Sequence, residues 1–159
     1  MLKRLRAVAL IVANPAGEIL MLRERRGKKE IDKPENSDSI PMETCEALNE
    51  HHHSALVRLH TEELSGLTSV HVPGRYIGVY RVVPGVWVSL YATMSSSYVL
   101  PVEAGDQPEV DNYRWMSLQD VLALETLRRG AYEMVRDFAG GLEGVVQTYC
   151  VRPRTLIRA

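Results

Sequence analysis

Residues 41–67 read PMETCEALNEHHHSALVRLHTEELSGL, and this stretch carries the strongest structural signal in the chain. Residues 46–64 within it contain no proline and no glycine, which predicts one long α-helix. Ser65 and Gly66 follow directly, and a glycine after a helical run commonly adopts the left-handed conformation that ends a helix. The sequence therefore predicts a single long helix near the middle of the first hundred residues.

A helical wheel places the apolar side chains of this helix on one face. With Leu56 at 0° and about 100° per residue, that face contains these further residues: Val57, Leu59, His60, Leu64 and Leu67. Glu63 falls inside the apolar face, whereas Glu62 falls outside it. A carboxylate on an apolar face costs free energy unless it is paired or holds a metal. Either Glu63 lies in a frayed last turn and reaches solvent, or Glu62 and Glu63 supply oxygen ligands for Mg²⁺ or Mn²⁺.

Charged residues in this stretch also have the spacing of a known motif. The pattern G-x5-E-x7-R-E-U-x-E-E-x-G-U, in which U is a bulky aliphatic residue, is matched at four charged positions: Glu50, Arg58, Glu62 and Glu63. The segment therefore resembles the Nudix box. The resemblance extends over residues 7–138, with a Gly-aromatic strand at 76–80 and the segment PEVDNYRWMSL at 108–118.

Several positions depart from the box pattern. Thr44 replaces the first glycine, and Ser65 occupies the position of the second. Leu59 stands in place of the glutamate that follows the arginine. Because leucine can neither bind a metal nor take a proton, catalysis would require another acid as base. Three acids could take that role: Glu43, Glu46 and Glu109.

The resemblance implies both a fold and an activity. The fold is α/β (α+β), a Nudix-like α/β/α sandwich with a central mixed β-sheet. The activity is hydrolysis of the pyrophosphate bond in a nucleoside diphosphate derivative, with Mg²⁺ or Mn²⁺ as cofactor. By resemblance, Glu62, Glu63 and Glu109 would bind the metal and take part in catalysis. Arg58 and Glu50 would orient the site or the substrate. The alternative is a catalytically inactive Nudix-fold module that binds a nucleotide or another protein.

Outside the box, strand-like runs alternate with turns. Residues 7–13 form a run rich in β-branched residues that predicts a strand covered on both faces. A second strand at 18–23 forms a hairpin-like pair with it. Further strands are predicted at 68–72, 76–83, 86–94 and 112–116, the middle two forming a hairpin. Helices are predicted at 117–127 and 131–139, and loops at 24–39 and 95–107. This order indicates helices on the faces of a mixed sheet.

Length and composition limit the function classes. The 159 residues suit one domain, predicted at 1–141, followed by a C-terminal tail of unknown role at 142–159. A net charge of −1 argues against a nucleic-acid partner. No apolar run approaches the roughly 18 residues of a membrane span, and two cysteines without a signal-peptide pattern predict a cytoplasmic location. The expected partner is a small-molecule nucleotide, and the sequence leaves a homodimer open.

A cluster of basic residues follows the second predicted strand: Arg23, Arg25, Arg26, Lys28 and Lys29. These side chains could meet the phosphates of a substrate. The alternative is a solvated loop, in which Glu24 and Glu30 dilute the positive charge.

Overall fold

The computed structural model describes residues 4–67, 70, 74–103, 108–141 and 145–150. Within these ranges the chain forms an eight-stranded sheet and three α-helices. The strands are β1 (Leu5–Ala13), β2 (Ile19–Glu24), β3 (Ser37–Ser39), β4 (Met42–Thr44), β5 (Arg75–Val83), β6 (Val86–Met94), β7 (Val110–Met116) and β8 (Val145–Tyr149). The helices are α1 (His52–Glu63), α2 (Leu118–Leu122) and α3 (Ala131–Ala139). None of these helices is long and apolar enough to cross a membrane.

The sheet is built around β1 and has the strand order β3-β2-β1-β6-β5-β8, with β4 paired to β1 and β7 paired to β2. β1 runs parallel to β6 along its whole length. β6 pairs antiparallel with β5, which confirms the predicted hairpin. β1 and β2 pair antiparallel at Ala13 and Ile19, and β5 pairs parallel with β8. The combination of parallel and antiparallel pairs confirms the predicted mixed sheet.

Helices cover both faces of the sheet because successive side chains of β1 point to opposite sides. One buried cluster joins β1 to α1 and includes Val8, Leu10, Val12, Leu56 and Leu59. The other joins β1 to α3 and includes Ala9, Ile11, Ala13, Met134 and Val135. The prediction of a first strand covered on both faces, within an α/β/α sandwich, is therefore confirmed.

The long helix begins later than predicted. α1 starts at His52 rather than at Glu46. The residues before it are held in turns by other partners: the Cys45 amide donates to the Arg6 carbonyl oxygen of β1 at 2.8 Å. The Glu46 amide donates to the side chain of Glu50. A further turn is closed by the Glu50 amide, which donates to the Ala47 carbonyl oxygen at 3.1 Å.

The buried face of α1 is narrower than the helical wheel predicted. Its buried residues are Ala55, Leu56 and Leu59. Val57, predicted to face the core, is 45% exposed. Beyond the helix, Gly66 has φ +90°, which confirms the predicted left-handed glycine.

Several short elements differ from the predictions. Residues 24–39, predicted as a loop, contain a 3-10 turn at Lys29–Ile31 and the strand β3, and β4 was not predicted. Strands of three residues are too short to show an alternating pattern. The helix predicted at 117–127 is shorter in the structure, where α2 ends at Leu122. Its predicted N-terminal cap is confirmed, because the Ser117 hydroxyl oxygen accepts a hydrogen bond from the Asp120 amide at 3.1 Å.

Two predicted regions fall largely outside the described residues. Of the predicted strand at 68–72, only Val70 is described, and it forms an isolated bridge with Ser95. Of the C-terminal segment at 142–159, residues 145–150 are described and contain β8. Residues 142–144 and 151–159 lie outside the described part of the chain.

Gly74, just before β5, allows a close approach to β6. Its φ is +80°, and a Cβ atom there would lie 2.4 Å from the carbonyl oxygen of Ala92. We expect Gly74→Ala to lower the free energy of unfolding by about 3 kcal/mol, of which about 1–2 kcal/mol reflects the left-handed backbone. Gly17→Ala is the matched control, because Gly17 has φ +81° but nothing within 4 Å of the added methyl group. Urea denaturation measures both variants, and equal losses would contradict the steric contribution.

Candidate active site

A cavity of about 420 Å³ lies where the C-terminal end of α1 meets β4, the end of β2 and the segment before β7. Five acidic residues line it: Glu24, Glu43, Glu62, Glu63 and Glu109. Three basic residues line it as well: Lys28, Lys33 and Arg128. The cavity therefore brings together all three acids that the resemblance assigns to the metal. It adds Glu43, weighed above as a replacement base, and Glu24, which the sequence did not assign to the site.

Glu63 ends α1 and points into the protein. Its Oε2 atom is buried and has no hydrogen-bond partner. Burial raises the pKa of Glu63 well above its usual value, and the charges of Glu24 and Glu43 raise it further. The Tyr113 hydroxyl donates to the Glu63 carbonyl oxygen at 2.5 Å and fixes the end of the helix. The buried Oε2 atom does not fit a frayed helix end that reaches solvent, and the role of Glu63 as a metal ligand stays a prediction.

Glu43 and Glu62 come together in the cavity from β4 and α1. Burial raises the pKa of Glu43, and the nearby charge of Glu62 raises it as well. Glu43 also accepts a hydrogen bond from Nε of Arg58 at 3.4 Å. Glu46, by contrast, has a side chain that is 77% exposed and does not line the cavity. Of these two candidate bases, only Glu43 lies in the cavity.

Arg58 connects the middle of α1 to the segment that precedes the helix. Its Nη1 atom donates to Oε1 of Glu50 at 2.6 Å, and its Nη2 atom donates to the Thr44 carbonyl oxygen at 2.8 Å. The hydrogen bonds from Arg58 lower the pKa of Glu50. Neither Arg58 nor Glu50 lines the cavity. They act on it indirectly, because they hold the end of β4, the strand that carries Glu43.

Glu109 lies at the rim of the cavity, in the segment before β7. Its side chain is 77% exposed, and its carboxylate lies 3.7 Å from Nη1 of Arg26. The carbonyl oxygen of Glu109 accepts the Arg25 amide at 2.9 Å, which fixes the backbone beside β2. An exposed ion pair of this length contributes little free energy. The pair therefore does not hold the Glu109 carboxylate away from the cavity.

An ion triad that the sequence did not reveal forms another wall of the cavity. Glu24, at the end of β2, accepts hydrogen bonds from Nζ of Lys33 and from Nη1 of Arg128, each at 3.0 Å. All three side chains are at least 86% buried. Lys33 and Arg128 stand 9 and 104 positions from Glu24. No local sequence signal could connect residues so far apart.

The basic cluster predicted after the second strand divides between two roles. Arg23 and Arg25 bind the buried carboxylate of Asp111 on β7, at 3.0 and 2.6 Å. Hydrogen bonds from Arg23 first, and from Arg25, outweigh the effect of burial and lower the pKa of Asp111. Lys28 instead lines the cavity. Neither interpretation of the cluster therefore describes all of it, since Arg23 and Arg25 are structural and Lys28 faces the candidate site.

Leu59 occupies the box position where the pattern has a glutamate. Its side chain is fully buried in the apolar cluster between α1 and β1. It does not line the cavity. Glu62 and Glu63 of α1 therefore line the cavity, whereas Leu59, one turn earlier, packs in the core.

The donor atoms of the cavity are of the kind that a hard divalent cation requires. Carboxylate oxygens suit Mg²⁺ and Mn²⁺, and the unpartnered Oε2 of Glu63 is an oxygen whose burial a bound cation would compensate. In the part of the chain that the structure describes, no three acidic, histidine or cysteine side chains are already arranged to enclose an ion. The residues fit a cation in chemistry, and their carboxylates would have to rearrange to enclose it.

Comparison with known proteins agrees with this architecture. The family model of the NUDIX domain matches residues 3–138, and the chain therefore belongs to the NUDIX family. No curated protein matches the chain.

Three solved structures illustrate the similarity in fold. The MutT protein from Methanosarcina mazei Go1 has a TM-score of 0.64 and 22% identity, over 87% of this chain and 95% of that one. A NUDIX hydrolase from Nitrosomonas europaea has a TM-score of 0.66 and 18% identity, over 89% and 92%. An ADP-ribose pyrophosphatase from Streptococcus suis 89-1591 has a TM-score of 0.64 and 13% identity, over 92% and 100%. At these identities the likeness establishes the fold.

Proposed function

We propose that the chain is a metal-dependent hydrolase that cleaves the pyrophosphate bond of a nucleoside diphosphate derivative. The observation that carries the proposal is the buried, unpartnered Oε2 atom of Glu63 in a cavity lined by four further glutamates. The NUDIX family supports it, and so do structural neighbours such as the Streptococcus suis ADP-ribose pyrophosphatase.

In this proposal, the acids of the cavity hold Mg²⁺ or Mn²⁺. Glu62, Glu63 and Glu109 would be the ligands and the catalytic carboxylates. The metal would neutralise phosphate charge and activate water. Glu109 is exposed at the rim, where it can accept a proton from water that enters the cavity. The hydrogen-bond network of Arg58 and Glu50 positions β4, and Lys28 lies where a substrate phosphate would enter.

The test is nucleotide or phosphate release from a panel of dNTPs, ADP-ribose, dinucleoside polyphosphates and nucleotide sugars, with Mg²⁺, with Mn²⁺ and with EDTA. We expect turnover of at least one substrate with metal and none in EDTA. Glu109→Gln is expected to lower that turnover by roughly 10²-fold, because it removes the proposed proton acceptor. Glu35→Gln is the matched control, since Glu35 is an exposed glutamate that does not line the cavity. Equal activity of the two variants would contradict the role of Glu109.

A second candidate function is nucleotide binding without catalysis. Leu59 favours this second function, because it stands where the box has a glutamate and its side chain is buried in the core. Equilibrium dialysis with the same nucleotides separates the two functions. Binding without turnover of any substrate would support the second and contradict the first.

A further inference from the structure

Glu24 differs from the acid of an ordinary structural ion pair because its side chain also lines the candidate active site. It ends β2, outside the Nudix box, and lines the same cavity as Glu63. Its side chain is 9% exposed, and the two cations that hold it are 14% and 13% exposed. We propose that Glu24 is a further metal-facing carboxylate of this cavity, fixed in position by Lys33 and Arg128. This inference rests on the proposed function, since it assumes that the cavity takes a divalent cation.

The two cations leave the Glu24 carboxylate able to bind a metal. Each of its oxygens accepts one hydrogen bond, from Arg128 at Oε1 and from Lys33 at Oε2, both at 3.0 Å. A carboxylate offers about four lone-pair sites, so each oxygen retains one acceptor direction. The cations therefore fix the side chain without using up its acceptors.

The surroundings of Glu24 favour a cation. Glu63, with its buried and unpartnered Oε2, lines the same cavity. The acids that line the cavity outnumber the basic residues that line it. Excess negative charge in a partly enclosed cavity attracts cations. A metal between β2 and α1 would relieve the repulsion between Glu24 and Glu63.

Asp111 provides a matched control within the same sheet. Like Glu24, it is a buried acid held by two cations, Arg23 and Arg25, and its side chain is 8% exposed. Unlike Glu24, it does not line the cavity. The variants Glu24→Gln and Asp111→Asn therefore each neutralise a buried acid held by two cations, and only Glu24 faces the proposed metal, although the cations at Asp111 are more exposed than those at Glu24.

The experiment is calorimetric titration of the native protein and both variants with MnCl₂, after circular dichroism has shown that each is folded. We expect Glu24→Gln to raise the dissociation constant for Mn²⁺ by about 10–100-fold, and Asp111→Asn to change it less than about twofold. Glu24→Asp, which keeps the charge but withdraws the carboxylate by one methylene, is expected to weaken binding too. It decides the question if Glu24→Gln does not fold.

The outcomes separate this inference from the proposed function. Unchanged Mn²⁺ affinity in the Glu24 variants, or equal losses in the Glu24 and Asp111 variants, would overturn the role of Glu24. If Mn²⁺-dependent turnover persisted in that case, the proposed function would still stand. Absence of Mn²⁺ binding to the native protein would overturn both.

Discussion

Replacing Glu63 with glutamine is expected to lower metal-dependent turnover by roughly 10²–10⁴-fold, the range typical for loss of one catalytic acid–base or metal-binding group. The reason is structural: Glu63 is the proposed ligand most deeply set in the cavity, with an oxygen that no protein group satisfies. Glutamine has nearly the same shape but carries no charge. Steady-state rates with saturating Mg²⁺ or Mn²⁺ measure the effect.

The same substitution is expected to stabilise the protein when metal is absent. An ionised carboxylate that is buried near other carboxylates costs free energy, and the amide removes that cost. We expect a gain of about 1 kcal/mol, which for a domain of this size raises Tm by about 2–4 °C. In the native protein, saturating Mn²⁺ is expected to raise Tm because it binds only the folded state, whereas Glu63→Gln is expected to lose most of that increase.

The variant Glu62→Gln tests whether the expected gain in metal-free stability comes from the burial of the charge or from its removal alone. Glu62 precedes Glu63 in the chain and lines the same cavity, but its side chain is exposed. We expect reduced turnover in this variant without a gain in metal-free stability. A Glu63→Gln protein that retained native turnover, or that was less stable than the native protein without metal, would contradict the assignment of Glu63 as a buried metal ligand.

The sequence predicted those features that depend on local pattern. The apolar run at 7–13 and the breaks at 84–85 identify the first strand and the β5–β6 hairpin, because side-chain alternation and turn residues act over a few positions. The box spacing made Glu62 and Glu63 candidate metal ligands by resemblance, and both line the cavity. The helical wheel placed Glu63 within the apolar face, and in the structure its Oε2 atom is buried.

The remaining features depend on contacts between distant segments. Glu24 was interpreted as a residue that dilutes a basic loop, yet it is held by Arg128, which is 104 positions away. Asp111 similarly binds Arg23 and Arg25 across two strands. The late start of α1 also involves a contact between distant segments, because the Cys45 amide just before the predicted helix is bound to the Arg6 carbonyl oxygen of β1. The helix propensity of a segment does not show which distant groups will form hydrogen bonds with its backbone in place of the helical ones.

Leu59→Glu, which restores the glutamate of the box pattern, is expected to lower the free energy of unfolding by about 3–5 kcal/mol, with no gain in turnover. Leu59 is fully buried with Val8 and Leu10, and it does not line the cavity. A carboxylate there would displace apolar contacts and would lack a cation to pair with. Urea denaturation and the turnover assay measure the two effects.

Leu59→Met is the matched control, because a side chain of similar volume without charge typically costs less than about 1.5 kcal/mol. Similar losses in both variants would show that the packing geometry at this site, rather than the buried charge, sets the cost. A stable and faster Leu59→Glu protein would show that side chains at this position reach the metal. We expect the opposite, because Leu59 packs α1 against β1 and does not line the cavity, whereas Glu24 of β2 and Glu43 of β4 do.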